Sequence, residues 1–270
     1  MAGQQTVPRI STLTSAKNPL LKDVRRAIDR GALTSDGLCA AESFHLLDEA
    51  LRSGCRVPVI LAAESSVAAV ETRVEDRTDT TLLVLNESLF RSVSSTEASQ
   101  GVVALVEPPP WNLDSIFQGE CLAVVLDGIQ DPGNCGAIVR AAEAFGATGA
   151  VLLKGTVSPY NPKALRASAG SVFRLPLVTG IEPEDFLTCA REEQVAMYAA
   201  MPRASLLLDR ASLTGRTAIV IGSEGRGVGP ELSVAAIAVS IPTSTVESLN
   251  ASVAAGIVLY EAARQRRPRT

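Results

Sequence analysis

A chain of 270 residues is long enough for one large domain or two modest ones, and two is the expectation. With 46% hydrophobic and 20% charged residues it has the composition of a packed globular protein, which excludes the disordered and fibrous classes. The net charge of −4 gives no bulk basic footprint, and an aromatic content of 4% argues against a sheet of base-stacking aromatics. No apolar run approaches the roughly 18 residues of a membrane span, and the opening MAGQQTVPRISTLTSAKNPLLK lacks the apolar middle of a signal peptide, so a cytoplasmic location is expected.

In chain order, AKNPLLKDVRRAIDRG and AESFHLLDEALRSG predict helices, closed by Gly31 and Gly54 in the left-handed conformation that glycine tolerates. Short apolar runs at 57–62, 81–85 and 102–106 predict strands, with AESSVAAVETRV and NESLFRSV as intervening helices, so residues 1–106 form a small α/β unit. The prolines at 108–110 stiffen the backbone and mark a linker over 107–119. Continuous apolar strands at 121–126 and 150–153 flank a helix over 136–145, a βαβ pattern that continues through strands at 194–199, 218–221 and 236–241. A long helix over 248–265 closes the chain. Residues 120–270 therefore predict an α/β domain with a mainly parallel sheet, whose ligands should bind beyond the carboxyl ends of its strands.

The five cysteines are odd in number and widely spaced, and His45 is the only histidine, in a helical pattern, so metal and histidine-based chemistry are not expected. Basic residues gather at both ends. Arg9, Lys17, Lys22, Arg25, Arg26 and Arg30 face Asp23 and Asp29 near the start, and Arg264, Arg266, Arg267 and Arg269 lie at the finish. A solvated helix face and a complemented helix C-terminus account for them as well as nucleic acid does.

Three loops after strands are rich in glycine and small polar residues. In DGIQDPGNCGAIVRAAEAFG, Asp131-Pro132-Gly133 predicts a tight turn with Asn134 as helix cap, and Arg140 follows, alternatively as an i,i+3 partner of Glu143. In IGSEGRGVGPEL, Gly222, Gly225, Gly227 and Gly229 surround Glu224, with neither a phosphate-loop signature nor an early dinucleotide fingerprint. In IPTSTVESLNASVAAGIVLYEAARQRR, Ser248, Leu249 and Asn250 open a helix with free first-turn amides. Its Leu249, Val253, Ile257 and Tyr260 form an apolar stripe suited to packing in the core or across a dimer.

Taken in order, DPGNCGAIVRAAEAFG, IGSEGRGVGPEL and IPTSTVESLNASVAAGIVLYE closely resemble the three motifs of the SpoU, or TrmH, family of the SPOUT superfamily of RNA methyltransferases, over roughly residues 120–265. The N-terminal part, with SAKNPLLKDVRRA, resembles the L30e-like RNA-binding domain of many relatives, although the chain reads GLCAAES where several have a Phe-Leu-Val-Glu-Gly-like strand. The resemblance implies a deep trefoil knot, S-adenosyl-L-methionine as methyl donor, a homodimer, no metal, and methylation of a ribose 2′-hydroxyl. It makes Gly222, Glu224, Gly227, Ile241, Ser248, Leu249 and Asn250 cofactor-contacting, and it assigns Asn134 and Arg140 to the catalytic side. Lys17, Arg25, Arg26, Lys163, Arg166 and Ser168 become RNA-binding candidates, with Asn161 and Ser171 beside them; a capped helix at YNPKALRASAG is the alternative. An arginine does not deprotonate in proteins, so Arg140 is expected to orient the hydroxyl and stabilise developing oxyanion charge. The separate N-terminal domain favours 23S ribosomal RNA as substrate. Transfer RNA, a non-catalytic RNA-binding or ribosome-assembly role, and a nucleotide-dependent oxidoreductase are the alternatives.

Overall fold

The computed structural model describes residues 9–96 and 99–267, so Arg269 lies outside the described residues. The chain forms two compact units, one running to Pro109 and including Tyr160–Phe173, the other made of Pro110–Pro159 and the chain from Arg174 onward.

The first unit runs β1 (Arg9–Leu13), α1 (Pro19–Arg30), β2 (Cys39–Glu42), α2 (Phe44–Arg52), β3 (Val59–Ala63), α3 (Val67–Val74), β4 (Thr81–Leu85), α4 (Glu87–Arg91) and β5 (Val102–Val106). Its sheet has the order β1-β4-β3-β5-β2, parallel from β1 to β3 and antiparallel on either side of β5. Helix α1 begins where Asn18 accepts from the Leu20 amide and Pro19 presets the first helical φ. It ends at Gly31, whose φ of 62° is the left-handed cap the sequence suggests. Leu21, Val24 and Ile28 of α1 join Leu89, Phe90, Leu61, Val103 and Leu105 in one core.

The remaining elements are α5 (Leu113–Ile116), β6 (Leu122–Asp127), α6 (Pro132–Ala144), β7 (Gly149–Leu153), α7 (Pro162–Ser168), β8 (Leu177–Ile181), α8 (Pro183–Glu192), β9 (Ala196–Ala200), β10 (Leu206–Leu207), β11 (Thr217–Gly222), α9 (Pro230–Ala235), β12 (Ile237–Ser240) and α10 (Ala251–Arg266). All but α7 belong to the second unit; α7 packs on β2 within the first. The second sheet has seven strands, β10-β12-β9-β11-β6-β7-β8, every neighbouring pair parallel. Its central strands β6 and β11 are buried on both faces, which is why they read as unbroken apolar runs. Phe117, Phe186, Val125, Val151 and Val220 fill the core on one side of it.

The structure corrects two helix starts. Asn134 is not the cap of α6: Asp131 is, accepting from the Asn134 amide at 2.8 Å, and Pro132 opens the helix. The last helix starts at Ala251, with Asn250 as its cap, so Ser248 and Leu249 lie in the loop before it. Of the two surfaces open to the α10 stripe, core or partner, it does not face the core of its own chain. Ala251, Ala255, Val258, Leu259 and Ala262 are buried, whereas Val253, Ile257 and Tyr260 are 50%, 37% and 47% exposed. No helix among the described residues is long and apolar enough to cross a membrane.

Candidate active site

The site forms where β9, β11 and β12 end. At the carboxyl end of β11 the chain reverses through a hairpin in which the Ser223 amide donates to the Gly227 carbonyl at 3.1 Å and Gly227 donates back at 2.9 Å. Glycine is required twice here. A Cβ on Gly222 would lie 2.2 Å from the Gly227 carbonyl carbon, and Gly227 has a φ of 70°. The hairpin is pinned from β6 by Asp127, whose Oδ2 accepts from the Gly229 amide at 2.6 Å. Its tip, Glu224-Gly225-Arg226, is exposed.

One relay of side chains joins the three glycine-rich loops. Asn250 Oδ1 faces α10 and accepts from the Ser252 amide at 2.9 Å, the Ser252 hydroxyl at 2.7 Å and the Val253 amide at 3.3 Å. Those first-turn amides are therefore held by the cap and not free, as the sequence reading had them. With its oxygen committed, Asn250 must turn Nδ2 outward, where it donates to Asn134 Oδ1 at 3.1 Å. Asn134 in turn donates Nδ2 to the Glu224 carboxylate. The donor sense of every amide is thus fixed from the α10 terminus to Glu224.

Beside this relay lies a cavity of about 390 Å³, a size within the range of small-molecule sites. Gly222, Glu224, Gly227, Ile241, Ser248 and Leu249 line it, six of the seven residues singled out for a cofactor; Asn250 stands behind the wall, in the relay. Ala200, Met201, Pro202, Val239 and Thr243 also line it. Sequence reasoning missed Ala200, Met201, Pro202 and Val239 because they end or follow β9 or sit inside β12, in segments with no glycine signature, and only the strand order brings β9 between β11 and β12; Thr243 lies within the third motif, in the loop after β12. Apolar walls from Met201, Ile221, Val239, Ile241 and Leu249 suit a flat ring, and the charged rim carries Glu224, Glu247 and Arg226, with Glu247 3.7 Å from Arg203.

The other candidates fall elsewhere. Arg140 is exposed on α6 and does not line the cavity. Its alternative partner Glu143 is held instead by Arg174, Nη2 to Oε2 at 2.9 Å. Cys135, next to Asn134, is an inert thiol, its pKa pushed up to about 12 by burial. Among the described residues no group of three or more His, Cys, Asp or Glu side chains is placed to hold a metal.

Of the RNA candidates, Ser168 is corrected: it is fully buried and donates its hydroxyl to the Leu165 carbonyl at 2.8 Å, so it offers RNA no surface. Ser171 is buried too. Asn161 is the cap of α7, accepting from the Lys163 amide at 2.9 Å, so the capped-helix alternative is realised. Arg25 is committed to structure, with Nε donating to the Ser92 carbonyl at 2.8 Å and Nη2 to its hydroxyl at 2.6 Å. Lys17, Arg26, Lys163 and Arg166 are exposed. At the other end, Arg266 donates to the carbonyls of Leu213, Glu120 and Cys121, clamping α10 to the sheet.

A parallel α/β sheet with a cavity beyond its carboxyl ends, walled by glycine turns and lacking a phosphate loop, is where an open α/β fold binds a small-molecule ligand. The profile of the SpoU rRNA Methylase family matches residues 121–260, and that of the MRM3-like substrate binding domain matches residues 18–104. An uncharacterized tRNA/rRNA methyltransferase of Synechocystis is 33% identical over 95% of both chains. The 23S rRNA (guanosine(2553)-2′-O)-methyltransferase RlmP of Bacillus subtilis is 30% identical over 92% of this chain and 97% of its own. Among solved structures, the SpoU methyltransferase AviRb of Streptomyces viridochromogenes, in complex with AdoMet, superimposes with a TM-score of 0.85 at 27% identity, covering 93% of this chain and 98% of AviRb. The chain belongs to the SpoU rRNA methylase family and is an RNA methyltransferase that uses S-adenosylmethionine.

Proposed function

We propose that this enzyme methylates a ribose 2′-hydroxyl of structured RNA, with 23S ribosomal RNA as its substrate. The observation that carries the reading is the Glu224–Asn134–Asn250 relay, which ties all three motifs to the rim of one cofactor-sized cavity. The relatives named for 23S rRNA 2′-O-methylation support the choice of substrate.

S-adenosylmethionine supplies an electrophilic methyl on a sulfonium. The chain's own residues have two tasks, holding that methyl in line with the ribose oxygen and stabilising the charge that develops on the oxygen. Ile241, Leu249 and the Gly222–Gly227 turn hold the cofactor, with Ser248 at its edge, while Asn134 and Asn250 fix the Glu224 carboxylate beside it. Arg140 orients the hydroxyl or its neighbouring phosphate and stabilises the oxyanion. Because Arg140 lies outside the cavity wall, Arg140→Ala is expected to lower kcat by roughly 10²–10³, leaving the dissociation constant for S-adenosylmethionine unchanged; normal turnover would remove Arg140 from the mechanism.

The trefoil knot, formed by the glycine-rich loop and the loop before α10, is part of this reading. So is a homodimer built on the exposed Val253, Ile257 and Tyr260 face of α10. Incubation with tritiated S-adenosylmethionine and unmodified 23S, 16S and transfer RNA, followed by nuclease digestion, tests the substrate. A labelled 2′-O-methyl nucleoside from 23S RNA is expected. Label in transfer RNA alone would redirect the substrate, and cofactor binding with no label on any RNA would favour a non-catalytic RNA-binding role.

A further inference from the structure

We propose that the first unit grips the RNA backbone along a single track of cations that climbs the crest of α1 and continues onto α7. A segment lying between β7 and β8 in sequence would then complete the RNA surface of the N-terminal unit. This rests on the RNA reading above and names the surface that serves it.

Helix α1 buries Leu21, Val24, Ala27 and Ile28. At 100° per residue the opposite crest is Lys22, Arg26 and Arg30, all exposed and about 6 Å apart along the axis. The acid among them is turned away. Asp23 accepts from the Ser35 amide at 2.8 Å and the Ser35 hydroxyl at 2.7 Å through one oxygen, and from Arg26 through the other. The Arg26 side chain stays 55% exposed. Asp29 is the exposed acid that remains on this face, three residues after Arg26 and seven after Lys22, and it lowers the net charge of the track by one.

The track turns at Gly31. Its backbone lies so close to Asn161 that a Cβ would stand 2.3 Å from the Asn161 Nδ2. Gly31 ends α1 and Asn161 caps α7, so Arg30 and Lys163 sit within two residues of one contact point. Helix α7 buries Pro162, Ala164, Leu165 and Ser168 and exposes Lys163 and Arg166 one turn apart. Arg166 Nη1 donates to Ser95 Oγ at 3.3 Å. The order Lys22, Arg26, Arg30, Lys163, Arg166 gives a line of positive charge on a chain whose net charge is −4, and a regularly spaced polyanion complements such a line. Arg25, bound to Ser92, has no part in it.

The test is binding of in vitro transcribed 23S rRNA to the full-length protein across a salt series. Three variants are compared: Lys22→Gln/Arg26→Gln/Arg30→Gln, Arg166→Gln, and a control at the exposed Arg191→Gln/Arg210→Gln. Each lost phosphate contact lowers the slope of log affinity against log salt by about 0.7–0.9. The triple variant should lose about 2–3 from the slope, Arg166→Gln about 1, and the control none, with S-adenosylmethionine affinity and Tm unchanged. A misfolded protein would lose cofactor binding as well. Unchanged slopes in a triple variant that still methylates RNA would overturn the track and leave the catalytic reading standing. A shift on α1 without one at Arg166 would overturn the continuation onto α7. A wild-type protein that neither binds nor methylates RNA would sink the RNA reading and the track together.

Discussion

Asn134 joins two loops through one side chain whose ends meet different demands: Oδ1 accepts from Asn250 and Nδ2 donates to Glu224. An aspartate there has the same shape but sets a second carboxylate against Glu224, and two such groups cannot both stay ionised cheaply. Asn134→Asp should therefore reduce turnover by about 100-fold at neutral pH, with partial recovery as the pH falls and a shared proton restores the bond. A flat pH profile for this variant would exclude the relay from catalysis. Glu42, in the first unit, is the other residue whose environment was invisible in the sequence. It lies almost fully buried; burial works to raise its pKa, but hydrogen bonds from Ser94, Ser95 and Thr96 outweigh this and hold it below its usual 4.5. A depressed carboxyl stabilises the fold at pH values above about 4.5, and that contribution is lost as the pH falls through the lowered folded value. Glu42→Gln should cost about 1–3 kcal/mol at neutral pH and flatten the acid limb of the stability profile, as measured by urea unfolding at pH 3 to 7.

Asn250 works at the scale of an element, since the same side chain caps α10 and orders the site. The two roles separate by substitution. Serine is as good a helix cap as asparagine, yet its shorter side chain does not reach Asn134. Asn250→Ala should lose about 1 kcal/mol of stability together with activity, whereas Asn250→Ser should keep the thermal midpoint and still lose activity. Retained activity in the serine variant would mean that the cap alone matters. Most elements that were legible in the sequence are ones that a local rule decides. The left-handed Gly31, the doubly buried runs of β6 and β11, and strands 81–85 and 102–106 are local patterns, and the structure bears them out. The missed strands depend on distant partners, whereas helix α8 was missed although its proline start, acidic first turn and basic last turn are local signals. Strand β1, RISTL, is largely exposed and polar and becomes a strand by pairing with β4; β8 contains Gly180 and a register shift; β10 is two residues long. Helix starts were misplaced at Asp131 and Asn250 because several nearby polar residues could cap each helix: Asp131 takes the α6 cap while Asn134 bonds Glu224, and Asn250 takes the α10 cap while also bonding Asn134.

At the scale of the molecule, the first unit's main segment ends at Pro109, within the stretch read as a 107–119 linker, of which Leu113–Ile116 is helix α5, and residues 160–173 return to that unit from within the second. No periodicity encodes this, because the return is made by approaches between segments distant in sequence, Gly31 to Asn161, Gly170 to Glu49 and α7 to β2. The exposed face of α10 raises the last question of scale. The stripe of Val253, Ile257 and Tyr260 was legible as apolar and helical; what the sequence left open was whether core or partner covers it, and the structure turns the alanine face inward instead. A smaller side chain set permits close packing of α10 on α6 and the sheet, so the larger apolar residues are left for another surface. If a second copy of the chain covers them, Ile257→Glu buries a charge at that interface and should convert the dimer to a monomer in light scattering. It should change the Tm of the monomeric fold little, because a residue 37% exposed in the single chain carries little of its core. A variant that stays dimeric would place the interface elsewhere, and a wild-type protein that is monomeric at micromolar concentration would leave this face to a different partner.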